Sequence, residues 1–215
     1  FPSDRITVNL APADIKKEGS AFDLPMALGI LAATGLVDKA AYADHIFVGE
    51  LALDGMIRPV KGVLSMAIAA RELGLKGIFL PMENANEAGV VDGIPIFPVK
   101  TLSQVINALK GVVKVSPVKT EINRHFEPTV FDLDFLDVRG QEHAKRALEI
   151  AAAGSHNLLM IGPPGSGKTM MAKRIPTILP PLRFEESLET SKIYSVMGIM
   201  PNGEGLITVR PFQAP

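Results

Sequence analysis

Eight consecutive residues, Gly162-Pro163-Pro164-Gly165-Ser166-Gly167-Lys168-Thr169, satisfy the pattern G-x-x-x-x-G-K-[ST] at every fixed position. A loop of this kind can cradle a polyphosphate. Glycines reach positive φ and permit close backbone approach, so successive N–H groups can turn toward phosphate oxygens. A helix following the loop adds partial positive charge at its N-terminus. Lys168 is then the side chain placed to reach the β- and γ-phosphates of ATP, and is the candidate catalytic residue. Thr169 supplies the hydroxyl placed to hold Mg²⁺. The bland alternative is a Gly/Pro turn between strand and helix that binds nothing.

The flanking residues must position this loop. Leu158-Leu159-Met160-Ile161 is a short apolar run of the buried-strand type, and Thr169 to Ile175 can run as a helix until Pro176 interrupts it. Upstream, Gln141 to Ala153 predicts a helix with Ala144, Ala147, Leu148 and Ala151 on one face and Gly154 at its stop. The aspartates ahead of it, Asp132, Asp134 and Asp137, can complement a helix N-terminus. His156, in the turn before the apolar run, is either a nucleotide contact or polar surface. Downstream, Pro176, Pro180 and Pro181 force an irregular crossing. Glu185 to Tyr194 then predicts a helix that packs through Leu188, Ile193 and Tyr194. Its three glutamates read as a solvated face, since no matching set of metal ligands accompanies them.

Composition narrows the possibilities. The chain has 215 residues, 47% hydrophobic and 21% charged, which describes a globular chain of one large or two modest domains. There are no cysteines, which excludes disulfides, thiolate metal sites and a cysteine nucleophile, and is compatible with a cytoplasmic setting. No run of about 18 apolar residues occurs that could span a membrane, and the start lacks a secretory pattern. Net charge is −1, with 10 Lys+Arg against 12 Asp+Glu up to residue 110 and 12 against 11 beyond it. This argues against nucleic-acid binding by bulk positive charge, and DNA contact would need a local patch or an assembled ring. The start at Phe1 and the stop at Pro215 read as those of an interior fragment.

The first half predicts a strand at Arg5 to Leu10 and a helix from Leu24 to Ala33, with Ser20 and Asp23 as its cap and box and Gly35 as its stop. His45 to Leu53 reads as a strand, Asp54-Gly55 as a tight turn and Met56 to Val60 as the returning strand. Val63 to Leu73 is a helix. Ile78-Phe79-Leu80 is a buried strand, and Ile94-Pro95-Ile96-Phe97 an edge strand because of its prolines. Thr101 and Gln104 form a capping box for a helix over 102–109. Residues 112–130, with Lys114, Pro117, Lys119, Arg124 and Pro128, read as a basic linker, either solvated or bound to DNA.

Three segments carry a resemblance. Lys17-Glu18-Gly19-Ser20-Ala21-Phe22-Asp23, Gly49-Glu50-Leu51 with Gly55-Met56-Ile57-Arg58-Pro59-Val60, and Gly77-Ile78-Phe79-Leu80-Pro81 together resemble the Lon-protease-type proteolytic domain. That fold also occurs as a non-proteolytic appendage of RadA-type recombination ATPases. The Lon pattern implies a serine nucleophile where this chain has Ala21 and a lysine where it has Leu64. Ser20 and Lys61 lie close by in the count, so a shifted alignment could restore a dyad only if both side chains met. Ser20 as a helix cap and Lys61 as a solvated turn residue is the simpler expectation.

The segment Asp137-Val138-Arg139-Gly140-Gln141-Glu142 ahead of the phosphate loop is similar to the start of AAA+ modules, which implies that Val138, Arg139 and Gly140 line an adenine pocket. With the opening residues 1–14 and the closing Arg210-Pro211-Phe212-Gln213-Ala214-Pro215, the chain resembles the ComM/YifB-type, magnesium-chelatase-related AAA+ family. The resemblance implies an α/β architecture in three parts. A Lon-like α+β domain of the ribosomal-S5-domain-2 type covers 1–111 and does not cut peptides. A linker follows at 112–130, and the first part of a P-loop AAA+ α/β domain covers 131–215. It also implies an ATP- and Mg²⁺-dependent ATPase acting as a helicase or branch-migration factor on single-stranded and branched DNA during natural transformation, cytoplasmic and hexameric at full length. An equally motif-compatible alternative is a Mg-chelatase-like or MoxR-like chaperone that remodels a protein. The acidic residues after the second core strand, the sensor residue and the arginine finger expected of such an ATPase are missing, so these 215 residues are expected to bind nucleotide but to hydrolyse ATP poorly or not at all.

Overall fold

The computed structural model describes residues 5–8, 20–120, 133–201 and 203–212. The chain divides into two compact units, one comprising Phe1–Ile122 and Glu189–Leu206, the other Asn123–Leu188 and Ile207–Pro215.

The first unit is mixed α/β. Helix α1 (Asp23–Ala33) buries Leu24, Ala27, Leu28 and Leu31, the i, i+3, i+4, i+7 spacing of one helical face. A short helix α2 (Lys39–Tyr42), capped by the Asp38 side chain, leads to strand β1 (His45–Phe47). Strands β2 (Glu50–Leu51) and β3 (Ile57–Arg58) form the antiparallel hairpin around Asp54-Gly55, with Gly55 at φ 83°. Helix α3 (Val63–Glu72) then precedes strand β4 (Gly77–Pro81), helix α4 (Ala85–Ala88), strand β5 (Ile96–Val99) and helix α5 (Leu102–Leu109). The sheet order is β1-β4-β5, parallel throughout. All five residues of the central strand β4 are buried, as expected of a parallel strand covered on both faces. Its register aligns Phe47, Phe79 and Phe97, whose rings stack at centroid separations of 5.0 and 4.8 Å.

Local signals in this unit translate directly. Thr101 Oγ1 caps the helix by accepting from Gln104 N at 3.1 Å, whereas Gln104 Oε1 accepts from Lys100 N at 2.9 Å, one residue before the N-cap, so the cap forms without the reciprocal bond of a capping box. β5 lies at the sheet edge, as its prolines require. Other expectations fail for tertiary reasons. Ser20 does not cap α1; its hydroxyl donates to Glu50 Oε2, while the Asp23 carboxylate accepts from Leu51 N at 3.3 Å. Both side chains serve the hairpin instead of the helix end. The predicted strand over His45 to Leu53 breaks at Gly49, where a Cβ would lie 2.5 Å from Ile57 Cγ2. Arg5 to Val8 is exposed and outside any strand, and Asn9-Leu10 falls outside the described residues. Part of the predicted linker is anchored: Val118 bridges Ile96, Thr120 N donates to Gly89 O at 2.9 Å, and Lys119 pairs with Asp92 at 2.8 Å. Residues 121–130 of that segment fall outside the described residues.

The second unit is built on helix α6 (Glu142–Gly154), helix α7 (Lys168–Arg174) and the first residues of helix α8 (Phe184–Met197), with 3-10 turns at Phe135–Asp137 and Ile175–Thr177. Its core is Phe135, Val138, Leu148 and Met171, with Ala144, Met160, Ile175 and Ile178 packed around it. The strand predicted at Leu158 to Ile161 is absent: no ladder forms there, and Leu159 and Ile161 are exposed. An apolar run signals a tendency to be buried, but pairing needs a neighbour, and no strand occurs in this unit among the described residues. α8 also departs from expectation. Its buried stripe is Ser187, Ser191 and Ser195, at i, i+4, i+8, while Ile193 is 60% exposed. Small side chains permit close backbone approach; Gly62 N donates to Ser195 O at 3.0 Å in the first unit, and Ser187 Oγ donates to Ile207 O at 2.6 Å in the second.

Gly77 provides a test of the sheet packing. A Cβ there would lie 2.5 Å from Phe97 Cε2 and 3.0 Å from Pro95 O, the carbonyl that receives Ile78 N. Gly77→Ala should destabilise the protein by about 1–3 kcal/mol, the usual cost of overpacking a tight core, read from urea unfolding. An unchanged midpoint would contradict this packing.

Candidate functional site

The residues of the phosphate-loop pattern form one compact turn. Gly165 and Gly167 adopt φ 81° and 84°, left-handed values that a side chain would strain, and Gly167 is the N-cap of α7. Lys168 opens α7 and folds back over the loop. Its Nζ donates to Gly162 O and Pro163 O, each at 2.8 Å, and to Ser166 Oγ at 3.2 Å. Ser166 N donates to Pro163 O at 3.3 Å, closing the turn across Pro164. Thr169 is exposed in the first turn of the same helix. One positive charge therefore sits at the centre of a glycine turn, with an exposed hydroxyl beside it. Such a donor set fits a polyphosphate carrying a hard divalent cation. A cavity of about 340 Å³ adjoins the loop, and its lining includes Ser166, Lys168, Ala144, Leu148 and Met171.

The segment Val138-Arg139-Gly140 reaches the same unit from upstream. Val138 is buried to 1% exposure in the core with Met171 of α7, so its side chain serves packing, whereas Arg139 and Gly140 are exposed. Gly140 and Gln141 take successive left-handed conformations at φ 69° and 57° before α6 begins. Asp134 and Asp137 close the preceding 3-10 turn on each other as a capping box. Arg174, at the far end of α7, donates from Nε to Asp134 O at 2.9 Å and from Nη2 to Asp137 Oδ2 at 3.1 Å. Sequence reasoning overlooked Arg174 as a partner of this turn because the pair lies 37 residues apart. His156 is exposed, its ring resting against Gly154.

The serine and lysine of the first unit are not brought together. Ser20 donates to Glu50, while the Lys61 side chain lies against Gly198, where a Cβ would meet Lys61 Cε at 2.5 Å. Leu64 is fully buried, and its backbone N–H is capped by Glu87 Oε1 at 3.1 Å. Asn84 fixes that carboxylate, donating to Glu87 Oε2 at 3.3 Å and to Val60 O at 3.0 Å. Glu87 and Asn84 carry no sequence signal for this role, since only the fold sets them opposite α3. Lys17 to Gly19 falls outside the described residues. Among the described residues there is no cluster of three or more metal-ligating side chains, and no helix is long and apolar enough to cross a membrane.

The Asp137 carboxyl is held below the ordinary carboxylate range, first by the Asp134 N–H and then by Arg174. A depressed folded-state value means that its contribution to stability is complete above the unfolded value near 3.8 and is lost as pH falls through the lower folded value. Carbonyl NMR titration should show Asp137 more than half ionised at pH 3.8. An Asp137 that titrates at or above its unfolded value would contradict its bonds to the Asp134 N–H and Arg174.

Comparison with known proteins finds two family matches, one in each half of the chain. The family described as magnesium chelatase, subunit ChlI, matches residues 134–215, and that described as subunit ChlI of Mg-chelatase matches residues 1–84. Over its whole length the chain is 44% identical to competence protein ComM of Haemophilus influenzae and 41% identical to YifB of Salmonella typhimurium, covering 42% of each. It is also 31% identical to Lon protease 2 of Bacillus subtilis over 128 residues, 57% of this chain and 22% of that protein. The chain thus spans about two fifths of the length of the ComM and YifB relatives. On these matches and its phosphate-loop pattern, the chain belongs to the ComM/YifB-type, magnesium-chelatase-related family.

Proposed function

We propose that Gly162 to Thr169 binds ATP with Mg²⁺, and that the chain is part of an ATP-driven motor acting on single-stranded and branched DNA in recombination. The observation that carries the nucleotide assignment is the Lys168 ammonium held over a turn with left-handed glycines at 165 and 167. In this reading Lys168 leaves the Gly162 and Pro163 carbonyls for the β- and γ-phosphates, and the Thr169 hydroxyl holds Mg²⁺. The metal would neutralise charge on the phosphates. Residues 131–215 would be the first part of an AAA+ domain with Val138 to Gly140 on its base side. Residues 1–111 would be a non-proteolytic Lon-like domain, joined through 112–130. A homo-hexamer in the cytoplasm is the working assembly. The DNA reading is supported by the competence role in the name of the Haemophilus influenzae relative.

A second reading, an ATP-dependent remodeller of a protein partner, is favoured by the match of residues 134–215 to a magnesium chelatase subunit. The two separate in one assay. ATP hydrolysis by a protein of the relatives' full length carrying this sequence should rise with four-way-branched DNA more than with duplex. Stimulation by a protein substrate and by no DNA would support the second reading against the first. In the 215-residue chain, Lys168→Ala should weaken ATP binding by at least about tenfold through loss of the charge-assisted contacts, measured calorimetrically. Unchanged affinity would remove the loop from the site.

A further inference from the structure

We propose that Arg174 is a positioning residue that holds the segment Val138–Gly140 in register with the phosphate loop, so that the site favours a nucleoside triphosphate over a bare polyphosphate. This rests on the reading above, in which Gly162 to Thr169 takes the phosphates and 138–140 faces the base.

Arg174 and Lys168 are the two ends of α7. A helix of seven residues is about 10 Å long at 1.5 Å per residue and moves as one body. At the phosphate end, Lys168 bonds back to the loop and Thr169 is exposed beside it in sequence. At the other end, every N–H group with an assigned partner in the Arg174 fork is spent on local anchoring. Nε donates to Asp134 O at 2.9 Å and Asp137 Oδ2 at 3.3 Å, Nη2 to Asp137 Oδ2 at 3.1 Å, and Nη1 to Met170 O at 3.2 Å. The first two partners lie on the turn that ends one residue before Val138. Thr177 adds a parallel tie, accepting from Phe135 N at 3.3 Å while donating to Arg174 O at 2.8 Å.

The consequence for position follows from what comes next in the chain. Phe135 and Val138 are wedged into the core against Met171, a residue of α7 itself. Beyond Val138 the backbone is exposed and turns through two left-handed residues. Its direction is therefore set upstream, by the ends that Arg174 and Thr177 hold. The Asp137 carboxylate is 52% exposed and the Arg174 side chain 13% exposed, and an ion pair with so exposed a partner adds little to net stability. Its planar fork fixes geometry, which a lysine could not reproduce with one ammonium. A polyphosphate without a base needs only the loop, so it should be indifferent to this tie.

Calorimetric titration of the 215-residue chain with ATP and with tripolyphosphate tests the proposal. Arg174→Ala should weaken ATP binding by roughly tenfold, as losing an outer support does for a bound group, and leave tripolyphosphate affinity unchanged. Asp137→Asn, which keeps the shape and removes the charge, should give the same split in smaller measure and guards against a folding defect in the first variant. Parallel losses for both ligands, or no loss for either, would overturn the positioning role while leaving the loop assignment intact. Failure of the unmutated chain to bind tripolyphosphate or ATP would instead overturn the nucleotide reading, and the positioning role with it.

Discussion

An ammonium group surrounded by oxygens of its own loop is the constraint on which the second unit is arranged. Lys168 Nζ has two carbonyls and a hydroxyl within hydrogen-bond reach, all contributed by residues 162–166. That arrangement is possible only because Gly165 and Gly167 turn the backbone through conformations that other residues resist, by roughly 1–2 kcal/mol each. The same bonds that shape the turn keep its charge in place. An incoming anion has to offer the ammonium better oxygens than the carbonyls it gives up, and phosphate oxygens carrying full charge do so.

The turn in turn needs a fixed helix beneath it. Met171 anchors α7 in a four-residue core with Phe135, Val138 and Leu148. Fully burying side chains of this size contributes about 1.5–3 kcal/mol each. Val138 and Met171 meet in that core, so the segment ahead of α6 and the helix after the loop are packed as one piece. The first unit has a separate core, centred on Leu24, Leu28, Ile57, Phe79, Val99 and Val105. There, Leu64 is fully buried, the Ser20 hydroxyl is held by Glu50, and the Lys61 side chain lies against Gly198.

What could be read from sequence is what is decided within a few residues. The glycine-lysine-threonine loop, the Asp54-Gly55 turn and the Thr101/Gln104 cap depend on local backbone chemistry, and each appears where its pattern placed it. Ser20 has the right residue type for a cap, yet Glu50, thirty residues away, takes its hydroxyl. α8 inverts the usual pattern because close backbone approach at Ser195 and Gly62 favours small residues, leaving Ile193 outside. Leu158 to Ile161 has strand composition without a strand partner among the described residues of its unit. Arg174 was invisible for the same reason as Ser20: its partners are distant in sequence and ordinary in type.

The central claim, that residues 162–169 form a nucleotide site, is tested most directly by amide hydrogen exchange with and without Mg²⁺ and ATP. If the backbone N–H groups of Gly165 to Thr169 turn toward phosphate oxygens, their exchange slows markedly on addition of nucleotide, while the β1-β4-β5 sheet is unaffected. Exchange at those five amides that stays the same under saturating nucleotide would contradict the account.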